Sequence, residues 1–199
     1  GKTGWHEAEG NAGLQEHWVQ ATSGSRVLVP LCGKSPDMLW LADKGCDVTG
    51  VELSEIAARD FFVESGLRFE FVNVHGQSAF RSLEKPIRII CGDYFRFTDR
   101  AFDALYDRAS LIALPADVRP EYVEHTKSLL KPDANILLIT LEYDQSKAGG
   151  PPFSVWPEEI EGYWPGLEKV MTRSDLEECP PKFKEAGISA FDEVVWRSK

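Results

Sequence analysis

The chain has 199 residues, 43% hydrophobic and 27% charged, which is enough apolar material for one sizeable core, so one domain is expected. A formal net charge of −10 sets long-range repulsion against polyanions, so nucleic acid is not an expected partner. The cysteines Cys32, Cys46, Cys91 and Cys179 form no CxxC pair, and His6, His17, His75 and His125 show no metal-ligand spacing. The thiols are therefore expected to be free, as in a reducing cytoplasm, with no metal bound.

In chain order, residues 1–20 fit no simple alternation of strand and helix and are expected to form an N-terminal cover. Arg26 to Leu31 (RVLVPL) is apolar and partly β-branched, the composition of a buried strand. Ser35-Pro36-Asp37 then offers an N-cap, a proline at the first helical position and an early acid. Met38, Leu41 and Ala42 make one apolar stripe, Lys44 suits the last turn, and Gly45 suits a left-handed residue beyond it. Asp47 to Val51 (DVTGV) is a second strand leading to Glu52, and Ser54 caps a helix in which Ile56, Ala57, Phe61 and Phe62 face inward until Gly66.

Ile87 to Cys91 (IRIIC) and Phe102 to Tyr106 (FDALY) continue the strands. A helix follows near Glu121 to Leu130, then the unbroken apolar run Ala134 to Leu141 (ANILLITL). Strands of this kind alternating with helices imply a mostly parallel sheet with helices on both faces, a three-layer α/β domain over residues 1–199. Residues 142–162, beginning EYDQSKAGGPPFSVW, break the alternation and are expected to be a second cover, an active-site loop. No apolar run approaches the roughly 18 residues of a membrane span, and no charged-then-apolar leader is visible, so neither a membrane nor secretion is expected.

Ligands of such sheets collect outside the carboxyl ends of the strands. The loops there are Cys32-Gly33-Lys34-Ser35, Glu52-Leu53-Ser54, Gly92-Asp93-Tyr94 and Asp107-Arg108-Ala109-Ser110. A dinucleotide site uses three spaced glycines to bring backbone N–H groups to a pyrophosphate; L-C-G-K-S-P has one glycine and does not match the G-x-x-x-x-G-K-[ST] loop either. An adenosyl ligand without phosphates, such as S-adenosylmethionine, needs only close backbone approach at Gly33 and an acceptor for its ribose hydroxyls, which Glu52 supplies. A purely structural turn has the same spacing. Gly92-Asp93 offers a carboxylate and a flexible backbone to an adenine edge, with Tyr94 to stack on or wall the ring; an ordinary turn capped by Asp93 is the alternative. No G-x-S-x-G elbow occurs.

The stretches GKTGWHE, VPLCGKSPDMLWLADKGCDVTGVELSE, YDRASLIAL, LEYDQSKAGGPPFSV and EEIE together resemble the thiopurine S-methyltransferase family, from the first residue to the last. The resemblance implies a seven-stranded, Rossmann-like class I methyltransferase sheet. It implies S-adenosylmethionine as donor, S-adenosylhomocysteine as product, and small thiols, thiopurine-like heteroaromatic thiols or related selenium and tellurium compounds as acceptors. Carried over by position, it implies that Gly1, Lys2, Thr3, Gly4 and Trp5 fold over the cofactor, with Trp5 facing the acceptor. Leu31, Gly33 and Glu52 would line methionine and ribose, and Gly92 and Asp93 would hold adenine. Arg108 would lie beside both the methionine carboxylate and the acceptor, and Lys182 stands roughly where some relatives have a substrate-facing arginine.

In-line methyl transfer asks mainly for alignment, worth effective molarities of roughly 10⁵ to 10⁸ M. Arg108 is the expected cation beside the acceptor sulfur, Asp107 the expected residue orienting it, and Phe153 an expected wall of the acceptor pocket. A methyltransferase-like module that holds an adenosyl ligand without turnover is the alternative, and a nicotinamide oxidoreductase is disfavoured by the missing glycines. A monomer is expected.

Overall fold

The computed structural model describes residues 10–19, 22–74 and 76–199. Its strands are β1 (Arg26–Val29), β2 (Asp47–Glu52), β3 (Phe69–Val74), β4 (Gln77–Ser82), β5 (Ile87–Cys91), β6 (Phe102–Asp107), β7 (Leu130–Tyr143), β8 (Glu168–Ser174) and β9 (Phe191–Arg197). They form one sheet in the order β3-β4-β5-β2-β1-β6-β7-β9-β8. The pairings β5–β2, β2–β1, β1–β6 and β6–β7 are parallel. Five carboxyl ends therefore open on one edge. The chain steps from β1 outward through β2 to β5 and then returns across β1 to β6, so the switch point lies between β1 and β6, where an open α/β sheet forms its crevice.

Where seven strands were expected, the described residues hold nine. The two further strands are the antiparallel hairpin β3–β4, registered Phe69↔Ser82 to Val74↔Gln77 along the β5 edge. The hairpin is held by Phe69 and Phe80, whose ring centroids lie 5.5 Å apart, while Phe71 stays largely exposed.

Alternation along each central strand sends successive side chains to opposite faces. Val27, Val29, Val48, Ile89, Ala104 and Tyr106 join one core cluster, and Leu28, Val51, Ile90 and Leu105 join the other. The helices divide accordingly. On the first face lie α1 (Ala12–His17), α2 (Asp37–Asp43) and α3 (Glu55–Glu64), contributing Leu14, Met38, Leu41 and Phe61. On the second lie α4 (Arg119–Leu129), α5 (Pro157–Tyr163) and α6 (Pro181–Glu185), contributing Tyr122, Val123, Ile160 and Phe183.

Two local expectations need correction. Ser35 is not the N-cap of α2: Pro36, at φ −66°, holds that position, and the Ser35 hydroxyl accepts from Asp37 N–H at 3.3 Å. On α3 the inward stripe is Ala58, Phe61 and Phe62, one helical face at i, i+3 and i+4, which leaves Ile56 69% exposed on the far side. Gly45 does adopt the left-handed conformation, at φ +87°.

Candidate active site

At the carboxyl end of β1 the chain makes a turn with two residues in the left-handed region, Leu31 at φ +42° and Gly33 at φ +51°. For a branched residue such as Leu31 this conformation is strained, and strain of this kind is kept where neighbouring structure over-determines it. The fixing contacts come from β2 and from the loop after β6. Cys32 N–H donates to the Val51 carbonyl, and the Ser110 hydroxyl donates to the Pro30 carbonyl at 2.7 Å. Gly50 makes room for the turn, since a Cβ there would come within 2.6 Å of Cys32 Sγ. A Cβ built on Gly33 meets nothing within 4 Å. Gly33 lines a cavity of about 280 Å³, together with Val29 to Cys32, Lys34 to Pro36, Ala57, Tyr106, Arg108 and Ala109.

Glu52, at the end of β2, reaches this turn. Its Oε2 accepts from Gly33 N–H at 2.9 Å and its Oε1 from Ser54 N–H at 2.8 Å, while its carbonyl accepts from Gly92 N–H at 2.9 Å. One residue thus ties the loops after β1, β2 and β5. Each carboxylate oxygen retains acceptor capacity for ligand hydroxyls. Cys32 and Cys91 stand nearby, with burial pushing both thiols up, Cys91 to about 11, so neither is a thiolate at neutral pH.

Arg108, after β6, is held by a partner the sequence did not single out. Its Nη1 lies 3.6 Å from Oδ2 of Asp37, a fully buried carboxylate that also accepts from Tyr106 Oη–H at 2.7 Å and from Asn11 N–H at 2.7 Å. Asp107, expected to orient Arg108, does not. Its Oδ1 accepts from Ser110 N–H at 3.0 Å and its Oδ2 from Tyr122 Oη–H at 2.6 Å, so it closes the turn and anchors α4. Alternation along β6 is the reason: residues 107 and 108 leave the strand on opposite sides.

Arg108 and Ala109 also line a second cavity, of about 270 Å³ and largely apolar, completed by Ile112, Ala113, Ile139, Thr140, Leu141, Pro151, Pro152 and Glu193. Its wall in residues 142–162 is Pro151 and Pro152. Phe153, expected in that wall, instead lays its ring against Gly150, with Arg119 Cζ 5.8 Å from the ring centroid. The loop is well anchored. Arg119 donates to both Glu159 oxygens at 2.9 and 2.8 Å and to the Ser154 carbonyl, and Tyr143 Oη–H donates to the Pro152 carbonyl at 2.7 Å. Lys182 Nζ donates to the carbonyls of Gly149 and Pro151, at 3.3 and 2.5 Å, so it holds the loop rather than lining the cavity.

The remaining sequence-derived residues divide. Gly92 sits at the end of β5 beside Glu52, and Asp93 caps the 3-10 turn Tyr94–Arg96 by accepting from Phe95 N–H at 3.0 Å. Tyr94 does not wall a ligand site. Its ring is buried against Tyr122, with centroids 5.3 Å apart, and its hydroxyl pairs with Thr126 at 2.8 Å. Gly1, Lys2, Thr3, Gly4 and Trp5 lie outside the described residues. Glu193, Asn11 and Asp37 were missed; the only sequence signal was a carboxylate or amide in an otherwise apolar or capping context.

The family model for thiopurine S-methyltransferase matches residues 1–199. The thiopurine S-methyltransferase of Pseudomonas syringae pv. tomato is 43% identical over 205 residues, covering 98% of this chain and 91% of that protein. The one from Pseudomonas putida KT2440 is 44% identical over 203 residues, covering 98% and 92%. Among solved structures, the YcgJ protein from Bacillus subtilis superposes with a TM-score of 0.65 at 13% identity, covering 93% of this chain and 95% of that one. The 1,6-didemethyltoxoflavin-N1-methyltransferase of Burkholderia thailandensis, solved with S-adenosylhomocysteine, gives 0.56 at 16%, covering 89% and 72%. At those identities the likeness is one of fold.

Proposed function

The chain belongs to the thiopurine S-methyltransferase family, and we propose that this S-adenosylmethionine-dependent methyltransferase methylates the sulfur of small thiols, thiopurine-like heteroaromatic thiols above all. The observation that carries the reading is that two cavities meet at Arg108 and Ala109. One lies over the open glycine turn and the other is apolar, which is what a donor site and an acceptor site facing each other require.

The residues present fit an adenosyl donor. Gly33 leaves open space for close approach, Glu52 offers carboxylate oxygens to ribose hydroxyls, Gly92 and Asp93 end the neighbouring strand, and Arg108 offers a cation to the amino-acid carboxylate. When bound, the donor supplies a methyl group on a sulfonium. Everything else is positioning by the protein. Pro151, Pro152 and Ile112 hold an aromatic acceptor and exclude water, and the buried Asp37 fixes Arg108 beside the acceptor sulfur. A cation there stabilises negative charge on that sulfur, and each unit by which it lowers the acceptor pKa corresponds to about 1.4 kcal/mol. Selenium and tellurium analogues satisfy the same displacement. Residues 142–162 serve as a cover on the acceptor side, with Lys182 acting through them.

Among the described residues no helix is long and apolar enough to cross a membrane. The cysteines are unbridged, which supports a reducing compartment such as the cytoplasm, where we place it as a monomer acting on small molecules. An adenosyl-binding module without turnover gives the second cavity no task. Transfer of labelled methyl from S-adenosylmethionine to thiophenol and to 6-mercaptopurine tests the reading; absence of transfer to either, with donor binding intact by calorimetry, contradicts it.

A further inference from the structure

The acceptor cavity carries an anion as well as a cation. Glu193, on β9, lines it together with Arg108, although the residue is only 4% exposed. A buried carboxylate on a residue that lines an apolar cavity is costly unless held, and this one is held from two other elements. Asn11 Nδ2 donates to Oε2 at 3.0 Å, and Arg173 Nη2, from β8, donates to Oε1 at 3.0 Å. Asn11 also donates its backbone N–H to Asp37, the partner of Arg108, so one residue binds both carboxylates. Burial raises the Glu193 carboxyl above its ordinary value; Asp175 adds to the rise, and Arg173, Arg108 and Asn11 oppose it. Two held hydrogen bonds leave acceptor capacity on both oxygens.

Resting on the reading of this cavity as the acceptor site, we propose that Glu193 is a catalytic residue that takes the ring N–H of a neutral heteroaromatic thione, so the favoured acceptors carry the grouping S=C–N–H. The grouping is a dipole, negative at sulfur and positive at N–H. A cavity with a guanidinium and a carboxylate on its wall matches it, whereas a bare thiolate would find the carboxylate repulsive.

The electron count closes. The thione sulfur forms a bond to the methyl carbon as the donor's sulfonium–methyl bond breaks, with that pair returning to the donor sulfur. Positive charge then rests on the acceptor's N–H unit, beside Glu193. The ring C=N forms from the nitrogen lone pair as the C=S π pair moves to sulfur; the N–H proton passes to the Glu193 carboxylate, its bonding pair stays on nitrogen as a lone pair, and the proton leaves to water. The carboxylate thus stabilises charge that appears only as the methyl moves, the condition under which binding energy accelerates chemistry.

The test compares pyridine-2-thione, which has the N–H, with thiophenol, which lacks it, in the wild type and in Glu193→Gln. The expected result is that the ratio of kcat/KM for the two acceptors falls about 30-fold or more in the variant, the size of a lost charge-assisted hydrogen bond. A ratio within threefold of wild type overturns the proposal, because damage to the fold lowers both acceptors together. If Glu193→Gln does not fold, the wild type decides with N-methylpyridine-2-thione. A fall of about 30-fold relative to pyridine-2-thione supports the proposal, and equal rates overturn it. Failure of the wild type to methylate thiophenol as well as pyridine-2-thione would instead remove the proposed function.

Discussion

Gly33 N–H donates to Oε2 of Glu52 at 2.9 Å. The contact joins the two features that stand out in the primary structure, a lone glycine turn and an acid about one helix further on. It makes the acid a brace for the turn, beside the role in holding the donor proposed for it.

Replacing Glu52 by alanine removes both uses. Charge-assisted hydrogen bonds of this kind contribute roughly 1.5–3 kcal/mol, so S-adenosylmethionine affinity is expected to fall about 10- to 100-fold by calorimetry. Unchanged affinity would take Glu52 out of the donor site.

Gly33→Ala separates conformation from packing. At φ +51° an alanine costs about 1–2 kcal/mol, yet its Cβ meets no protein atom within 4 Å, and Gly33 lines the donor cavity. A small loss of melting temperature with a larger loss of donor affinity is expected from thermal unfolding and titration. Equal affinity would mean that no ligand approaches that backbone.

For Arg108→Ala, turnover is expected to fall further than stability, because Asp37 keeps its bonds to Asn11 N–H and Tyr106 Oη–H. Arg108→Lys keeps the charge without the planar fork and is expected to be intermediate. Steady-state kinetics read beside denaturant unfolding distinguish this from a structural ion pair, for which the two losses would run in parallel.

Asp107 supplies a pH dependence. Burial, partly offset by the hydrogen bonds from Tyr122, Leu111 and Ser110, raises its carboxyl above the ordinary 3.8. The folded form therefore binds the proton more tightly than the unfolded form. The stability this gives is fully present below the unfolded value and is lost as pH rises through the folded one. In urea unfolding across that window, the stability of the wild type relative to Asp107→Asn is expected to decline with rising pH; a constant difference would contradict it.

What was legible in the sequence was local. The RVLVPL and DVTGV runs, the left-handed Gly45 and the four strand-end loops each carry their signal within a few residues, and the parallel sheet follows from their alternation. What escaped was set by distant partners. Asp37 reads as an early helical acid until Tyr106 and Asn11 close on it, and Glu193 meets Asn11 across 182 positions. Tyr94 was placed wrongly because a tyrosine in a strand-end loop suits a ligand wall as well as it suits the core, and only the Thr126 and Tyr122 contacts decide. The β3–β4 hairpin, half exposed, lacks the apolar run that marks the central strands.

The central claim is that donor and acceptor occupy the two cavities that meet at Arg108. A crystal structure of the protein with S-adenosylhomocysteine and a heteroaromatic thiol tests it most directly. The account predicts the nucleoside against Gly33 with its ribose hydroxyls on Glu52, and the acceptor sulfur beside Arg108 between Pro151 and Thr140. A ribose bound away from Glu52, or an acceptor outside the cavity bounded by Pro151, Pro152 and Glu193, would contradict it.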